Sequence, residues 1–191
     1  MRDEYTRYFL GFLVAVGLII LVIFLLFRGG GDNTKKPEQT GPKPLYTYAD
    51  TDAVVRMTIS GQVAAPVNRV TVAITVGRDQ TTYQQFQGYD GQVVNSQQFD
   101  NTRNSYEVFL RSLAGAGFYN GNTDPNMSNP DGVCPLGSTF TYEMIQDGKE
   151  LINFWSTTCA AKTYKGNVNT TIRLFENQVP NYSTLTSGLA L

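Results

Sequence analysis

Two cysteines, Cys134 and Cys159, and the absence of any histidine frame the chemistry open to this chain. Without an imidazole there is no Ser-His-Asp triad, no Cys-His pair and no His-ligated metal centre. Two thiols make a redox pair, half of a metal site or a disulfide. Redox pairs sit as Cys-x-x-Cys, and a zinc site needs further ligands that this sequence lacks. The spacing suits a structural disulfide closing a loop of about 26 residues, worth roughly 3 kcal/mol in the chain-entropy model. Such bonds persist outside the cytoplasm.

Carboxylates and amides are the remaining candidates. Glu143 and Glu150 lie on either side of Asp147-Gly148. They come out as diagonal neighbours on one face of a hairpin, and a carboxylate-dependent hydrolase would use such a pair. Thr141 and Lys149 mark the same face as partly solvated, so catalysis is the alternative rather than the main expectation. The segment NGNTDPNMSNPDG (120–132) sets Asn122, Asp124, Asn126 and Ser128 at alternate positions, as calcium loops do. Met127 stands where an EF-hand needs glycine, and Val133 where it needs the closing glutamate. A solvated, turn-rich loop is the first reading and a weak calcium site the second. No P-loop, dinucleotide fingerprint, Ser-x-x-Lys or nucleophile elbow is present. The expectation is therefore a chain that is not an enzyme and carries no cofactor.

Among the aromatics, Tyr83, Phe86, Phe99, Tyr106, Phe109 and Phe118 have strand or helix spacing and read as core. Tyr89 and Tyr119 fall in turns and are the candidate ligand contacts. Sequons at Asn126, Asn169 and Asn181 are at the level chance supplies in an Asn- and Thr-rich chain.

These residues need elements to position them. Val54 to Val63 and Val67 to Val76 read as strands, the second with Val70, Val72, Ile74 and Val76 in alternation. Thr81 to Gln87 and Gln92 to Phe99 continue an antiparallel meander through Asp90-Gly91, a type I′ turn signal. A helix follows, capped by Asn104 or Ser105, with Tyr106, Phe109, Leu110 and Leu113 on one face and Gly115 and Gly117 at its end. Thr139 to Gln146 and Lys149 to Thr157 form a hairpin on Asp147-Gly148. A two-residue turn sets Gln146 against Lys149, so Phe140 faces Trp155 and Met144 faces Leu151. In that register Cys134 is two residues out of line with Cys159, an offset that a bend through Pro135-Leu136-Gly137 absorbs. Val168, Ile172, Phe175 and Val179 have helical spacing up to Pro180, with a strand through Ile172 and Leu174 as the competing reading.

The fold class expected is α+β: an N-terminal transmembrane helix, an antiparallel β-meander with a packed helix, a disulfide-linked hairpin and a C-terminal helix. Residues 8–27, YFLGFLVAVGLIILVIFLLF, carry no charge. Twenty residues at about 1.5 Å each span about 30 Å, the hydrocarbon thickness of a bilayer. The run is too long for a signal peptide and FLLFRGGG offers no small-x-small cleavage site. It also lacks the internal glutamate of a pilin leader. Gly11 and Ala15 form a small-xxx-small pair through which two helices could approach. Residues 1–7 make a short cytoplasmic tail, 28–47 a Gly/Pro/Lys tether and 48–191 an extracytoplasmic domain. Arg28, Lys35, Lys36 and Lys43 after the helix outnumber Arg2 and Arg7 before it, which opposes that orientation. The disulfide and the Thr-, Asn- and Gln-rich domain outweigh that count.

The 191 residues hold 15 Lys plus Arg and 16 Asp plus Glu, for a net charge of −1, which excludes a basic nucleic-acid-binding face. With 41% apolar residues the chain is not intrinsically disordered.

The segments GYDGQVV, FLRSLAGAGF, CPLG…FTYE and WSTTC are similar to short single-pass exported proteins of ultrasmall candidate-phylum bacteria. The likeness spans about residues 50–185. It implies an N-terminal anchor with the domain outside, and carries no activity with it. The function expected is a non-catalytic binding module at the cell envelope, its partners the lipid bilayer and an envelope or surface protein. A structural role in an envelope assembly is the further alternative.

Overall fold

The computed structural model describes residues 43–191. The apolar run 8–27, with Gly11 and Ala15, and the tether up to residue 42 lie outside the described residues. Among the described residues, no helix is long and apolar enough to cross a membrane.

Six strands form one antiparallel sheet: β1 Val54–Ser60, β2 Val70–Val76, β3 Gln80–Gln87, β4 Gln92–Asp100, β5 Thr139–Gln146 and β6 Lys149–Thr157. Their spatial order is β4-β3-β2-β1-β5-β6. The first four strands are the expected meander. The hairpin β5-β6 does not stand apart from it, because β5 pairs with β1 from Val54 opposite Ile145 to Ser60 opposite Thr139. Strand alternation fixes the two faces. Val55, Met57 and Ile59 of β1, Val72, Ile74 and Val76 of β2, and Tyr142 and Met144 of β5 are buried on one side.

Helices cover that side. α1, Arg103–Gly115, buries Tyr106, Phe109, Leu110 and Leu113, the four residues its periodicity selects. Its cap is Thr102, whose side chain accepts a hydrogen bond from the Ser105 amide, in place of the expected Asn104 or Ser105. Gly117, at φ +80°, supplies the left-handed turn that ends it. α2, Val168–Glu176, is capped by the Asn167 side chain and buries Phe175, so the helical reading holds over the strand. A single turn, α3, follows at Tyr182–Leu185. Phe109 and Phe175 meet edge to face at 5.3 Å, and the Tyr142 and Tyr164 rings lie 4.6 Å apart. Buried hydroxyls stay paired inside this core: Tyr106 donates to the Ala53 carbonyl at 2.7 Å, and Tyr164 lies 2.7 Å from the Thr171 hydroxyl. Among the described residues, no buried side-chain nitrogen or oxygen lacks a partner.

The domain begins earlier than the expected boundary at residue 48. Leu45–Asp50 forms a 3-10 turn whose Leu45 and Ala49 are fully buried in the common core. Arg103 pairs with Asp50 across this turn at 2.7 Å, and the Arg111 guanidinium lies 4.0 Å above the Tyr46 ring. Residues 45–47 therefore belong to the domain and not to the tether.

The two hairpin turns differ. Asp147 and Gly148 have φ of +51° and +72°, the paired positive values of a type I′ turn. In the β3-β4 turn Gly88 and Gly91 are positive but Asp90 is not, so this is a four-residue connection and not a type I′ turn on Asp90-Gly91.

The β5-β6 register also departs from expectation. It starts as the turn dictates, Gln146 opposite Lys149 and Ile145 opposite Glu150, and then shifts by one residue before Met144. Phe140 faces Ser156, not Trp155, and Met144 faces Ile152, not Leu151. The bulge has a packing cause. A one-residue slip moves every later side chain to the other face. Here it turns Ile152 and Phe154 into the core and leaves Leu151 40% exposed.

Candidate functional site

The face of the sheet turned away from the helices is mainly polar, with Phe86 and Val93 at one end and Val54 and Ile145 at the other, and among the described residues it is largely uncovered. Following the registers across all six strands gives one continuous row: Gln98, Thr82, Thr75, Arg56, Glu143 and Asn153. The next row runs Ser96, Gln84, Ala73, Thr58, Thr141 and Trp155. Neighbouring strands lie about 4.8 Å apart, so hydroxyls and amides form a two-dimensional array of hydrogen-bonding groups. Most of these side chains are half-buried or exposed, with Ala73 and Trp155 as the buried exceptions. Arg56 is held within the array by a 3.1 Å hydrogen bond from its Nε to the Thr75 hydroxyl.

One end of this face is roofed by the loop that follows α1. The Trp155 indole N–H donates to the Met127 carbonyl at 2.8 Å, which ties the loop to β6. The Val63 amide donates to the Pro135 carbonyl at 2.8 Å, which ties it to the β1-β2 connection. The disulfide Cys134–Cys159, with a Cα separation of 5.7 Å, staples it to the end of β6. The expected bridge is present, but in the observed register Cys134 would stand opposite Lys162, so the turn from Cys134 to Gly137 makes up an offset of three residues and not the expected two. Glycine is required at 137, where a Cβ would sit 2.1 Å from the Thr158 hydroxyl and 2.6 Å from the Cys134 sulfur. Between loop and sheet lies a polar hollow of about 190 Å³, lined by Ser60, Thr139, Thr141, Arg69, Asp131 and Cys134 among others.

The alternate-position oxygens of the loop are spent on its own folding. The Asn122 side-chain oxygen accepts from the Asp124 amide at 3.1 Å. The Asp124 carboxylate accepts from the Asn126 amide at 3.0 Å, and the Ser128 hydroxyl donates to the Pro125 carbonyl at 2.8 Å. These bonds build the 3-10 turn Pro125–Met127. Asn122, Asp124 and Ser128 do border one shallow hollow with Glu150 and Asn153, while Asn126 points elsewhere into the turn. Among the described residues, no group of three or more Cys, Asp or Glu side chains is placed to hold a metal ion.

Of the two candidate contacts, Tyr89 is 54% exposed. Its hydroxyl donates to the Ala64 carbonyl at 2.9 Å and the Arg69 guanidinium sits 4.9 Å from its ring, so it is exposed yet held in place. Tyr119 is half-buried, and its hydroxyl donates to the Lys43 carbonyl. Burial, with a smaller contribution from Tyr48, pushes its pKa up to about 12. It anchors the start of the domain and presents little to a ligand.

Glu143 is a half-buried carboxylate of the open face. Burial raises its pKa, Arg56 opposes the shift and Glu150 adds to it. Glu150 itself accepts a 3.0 Å hydrogen bond from the Asn153 side chain. Among the described residues no hydrogen bond joins the two carboxylates, so the geometry shows no shared proton.

The open array was missed at the sequence level. Its signal was present as Arg56, Thr58 and Ser60 alternating with Val55, Met57 and Ile59, but the rows exist only once the strand order is known. No protein-family model matches this chain, and it matches no curated protein.

Proposed function

We propose that this chain is a membrane-anchored, extracytoplasmic and non-catalytic binding module. It presents the open polar face of its sheet, bordered by the stapled loop and Tyr89, to an envelope or surface protein. The observation that carries the reading is the division of labour between the two faces. The helix-bearing side is closed and internally satisfied, whereas the other side offers ordered hydroxyl, amide and guanidinium groups to solvent. The apolar run 8–27 supports the anchor, and the disulfide supports an oxidising compartment. Tethering raises the local concentration of the domain at the surface, so weak contacts suffice.

The test is cross-linking in intact cells with the full-length chain and two charge insertions. Gln84→Arg, in the middle of the open face, is expected to lose the cross-linked partner. Val108→Arg, on the exposed side of α1, is expected to keep it. Equal capture by both variants contradicts the assignment of the face.

The second reading, a carboxylate-dependent surface hydrolase, is favoured only by the raised pKa of Glu143 beside Glu150. It predicts that Glu143→Gln abolishes turnover of a glycan substrate. The binding reading predicts that the same change leaves partner capture in place.

A further inference from the structure

The two edges of the sheet are finished differently. The outer edge of β6 is covered: the Thr157 amide donates to the Ala161 carbonyl at 3.0 Å, and the Thr163 amide to the Trp155 carbonyl at 2.9 Å. That covering strand is covered in turn, since the Asn122 amide donates to the Thr163 carbonyl and the Lys165 amide to the Asn120 carbonyl, both at 2.8 Å. At its other end β6 carries Lys149 and Glu150, charges of the kind that discourage edge pairing.

Among the described residues, β4 has none of this. Its sequence, QVVNSQQFD, contains no lysine, arginine or proline and one charge, Asp100. The Asn101 amide bonds to the Asp79 carbonyl on the β3 side at 2.9 Å. Hydrogen-bonding direction alternates along an antiparallel strand. Asn95, Gln97 and Phe99 therefore bond to β3, and Ser96, Gln98 and Asp100 turn their amides and carbonyls to the free edge. Among the described residues, no hydrogen bond beyond the β3 ladder reaches these three. The register skips Val94, so the bulge there limits the straight edge to 95–100.

We propose that this edge pairs with the same edge of a second copy, antiparallel, with Gln98 on the two-fold axis. This is the register in which all three outward-facing residues are used. Gln98 meets Gln98, amide against amide, and Ser96 meets Asp100 of the second copy on either side. Each such pair exchanges both of its backbone hydrogen bonds. The single charge of the strand faces a hydroxyl donor, and like charges are never opposed, which is the complementarity that selects a second copy over a charged peptide. On the helix-bearing side Gln97 lies against the half-buried Phe99 of the second copy. The two-fold axis stands perpendicular to the sheet. It keeps both open faces on one side and both Leu45–Asp50 turns, where the domains begin, on the other. The polar array then runs across twelve strands. The pairing rests on the edge alone and holds whether or not the face proves to be the binding surface.

Full-length protein in detergent micelles tests it. Gln98→Cys is expected to give a disulfide-linked dimer on mild oxidation, because the two Cα atoms across a hydrogen-bonded pair are about 5.5 Å apart. Ser96→Cys is equally exposed but lies about 14 Å along the strand from its own symmetry mate, and is expected to stay monomeric on a non-reducing gel. Gln98→Pro removes only an outward amide, leaves the β3 ladder intact, and is expected to abolish the dimer seen by light scattering while circular dichroism is unchanged. Equal cross-linking at 96 and 98 overturns the proposal. So does a dimer that survives Gln98→Pro and is lost in Gly11→Leu, since it would then be held by the apolar run 8–27.

Discussion

At the scale of single residues, the clearest consequences lie with buried hydroxyls and with one exposed pair of acids. Tyr106→Phe leaves the Ala53 carbonyl buried without its 2.7 Å donor. That change is expected to lower stability by about 1–3 kcal/mol in thermal or urea unfolding, with no change in fold. Asp147 behaves differently. Its carboxyl shares a hydrogen bond and a like charge with Asp52, and both raise its pKa in the folded state. A folded-state acid with a raised pKa binds its proton more tightly than the unfolded chain does, so stability falls as the pH climbs through that pKa. Asp147→Asn, which keeps a side chain that tolerates positive φ, is expected to raise the melting temperature at pH 7. The gain should vanish at low pH, where Asp147 is protonated anyway. Equal gains at both pH values would show that turn geometry and not charge is responsible. Asp50 and Glu107 have the opposite sign. Their arginine partners hold both pKa values down, so their support is lost as the pH falls.

At the scale of elements, the disulfide decides how the loop lies on the sheet. Replacing both cysteines, Cys134→Ser with Cys159→Ser, is expected to cost about 3 kcal/mol of stability for a loop of this length. Hydrogen exchange should rise first in the loop and at the end of β6, with α1 and the first four strands unaffected. The same elements show what the sequence could and could not reveal. The bounds of β5 and β6 follow from the Asp147-Gly148 turn and the flanking apolar runs, and the α1 face from its spacing. The bulge before Met144 does not follow, because Leu151 and Ile152 are adjacent, apolar and of similar size. Only packing against the common core chooses Ile152. The α1 cap was misplaced because Thr102, Asn104 and Ser105 are all competent caps within one turn. The insertion of β5 beside β1 is a contact between segments about 85 residues apart along the chain, which no local pattern encodes.

At the scale of the whole molecule, one sheet separates two environments. Its helix-bearing side gathers Leu45, the strand residues, α1 and α2 into one core. Its other side keeps Arg56, Glu143 and the threonines in ordered rows. The aromatics divide accordingly. Tyr83, Tyr106, Phe109 and Phe118 are core residues, as their spacing indicated, whereas Phe86, expected among them, stands opposite Thr71 on the open face and Tyr89 stays at the rim. Tyr119, legible only as a loop residue, is half-buried, with its hydroxyl donating to the Lys43 carbonyl. The face is legible in composition, through many Thr and Gln residues at alternate strand positions, but not in arrangement.

The orientation of the domain is the claim on which the proposed function stands, and trypsin added to intact cells tests it most directly. Cleavage after Arg28 or Lys35 should release a soluble fragment containing the disulfide-bonded domain, with a cytoplasmic marker left whole. Retention of the intact chain in cells whose known surface proteins have been digested would contradict the account.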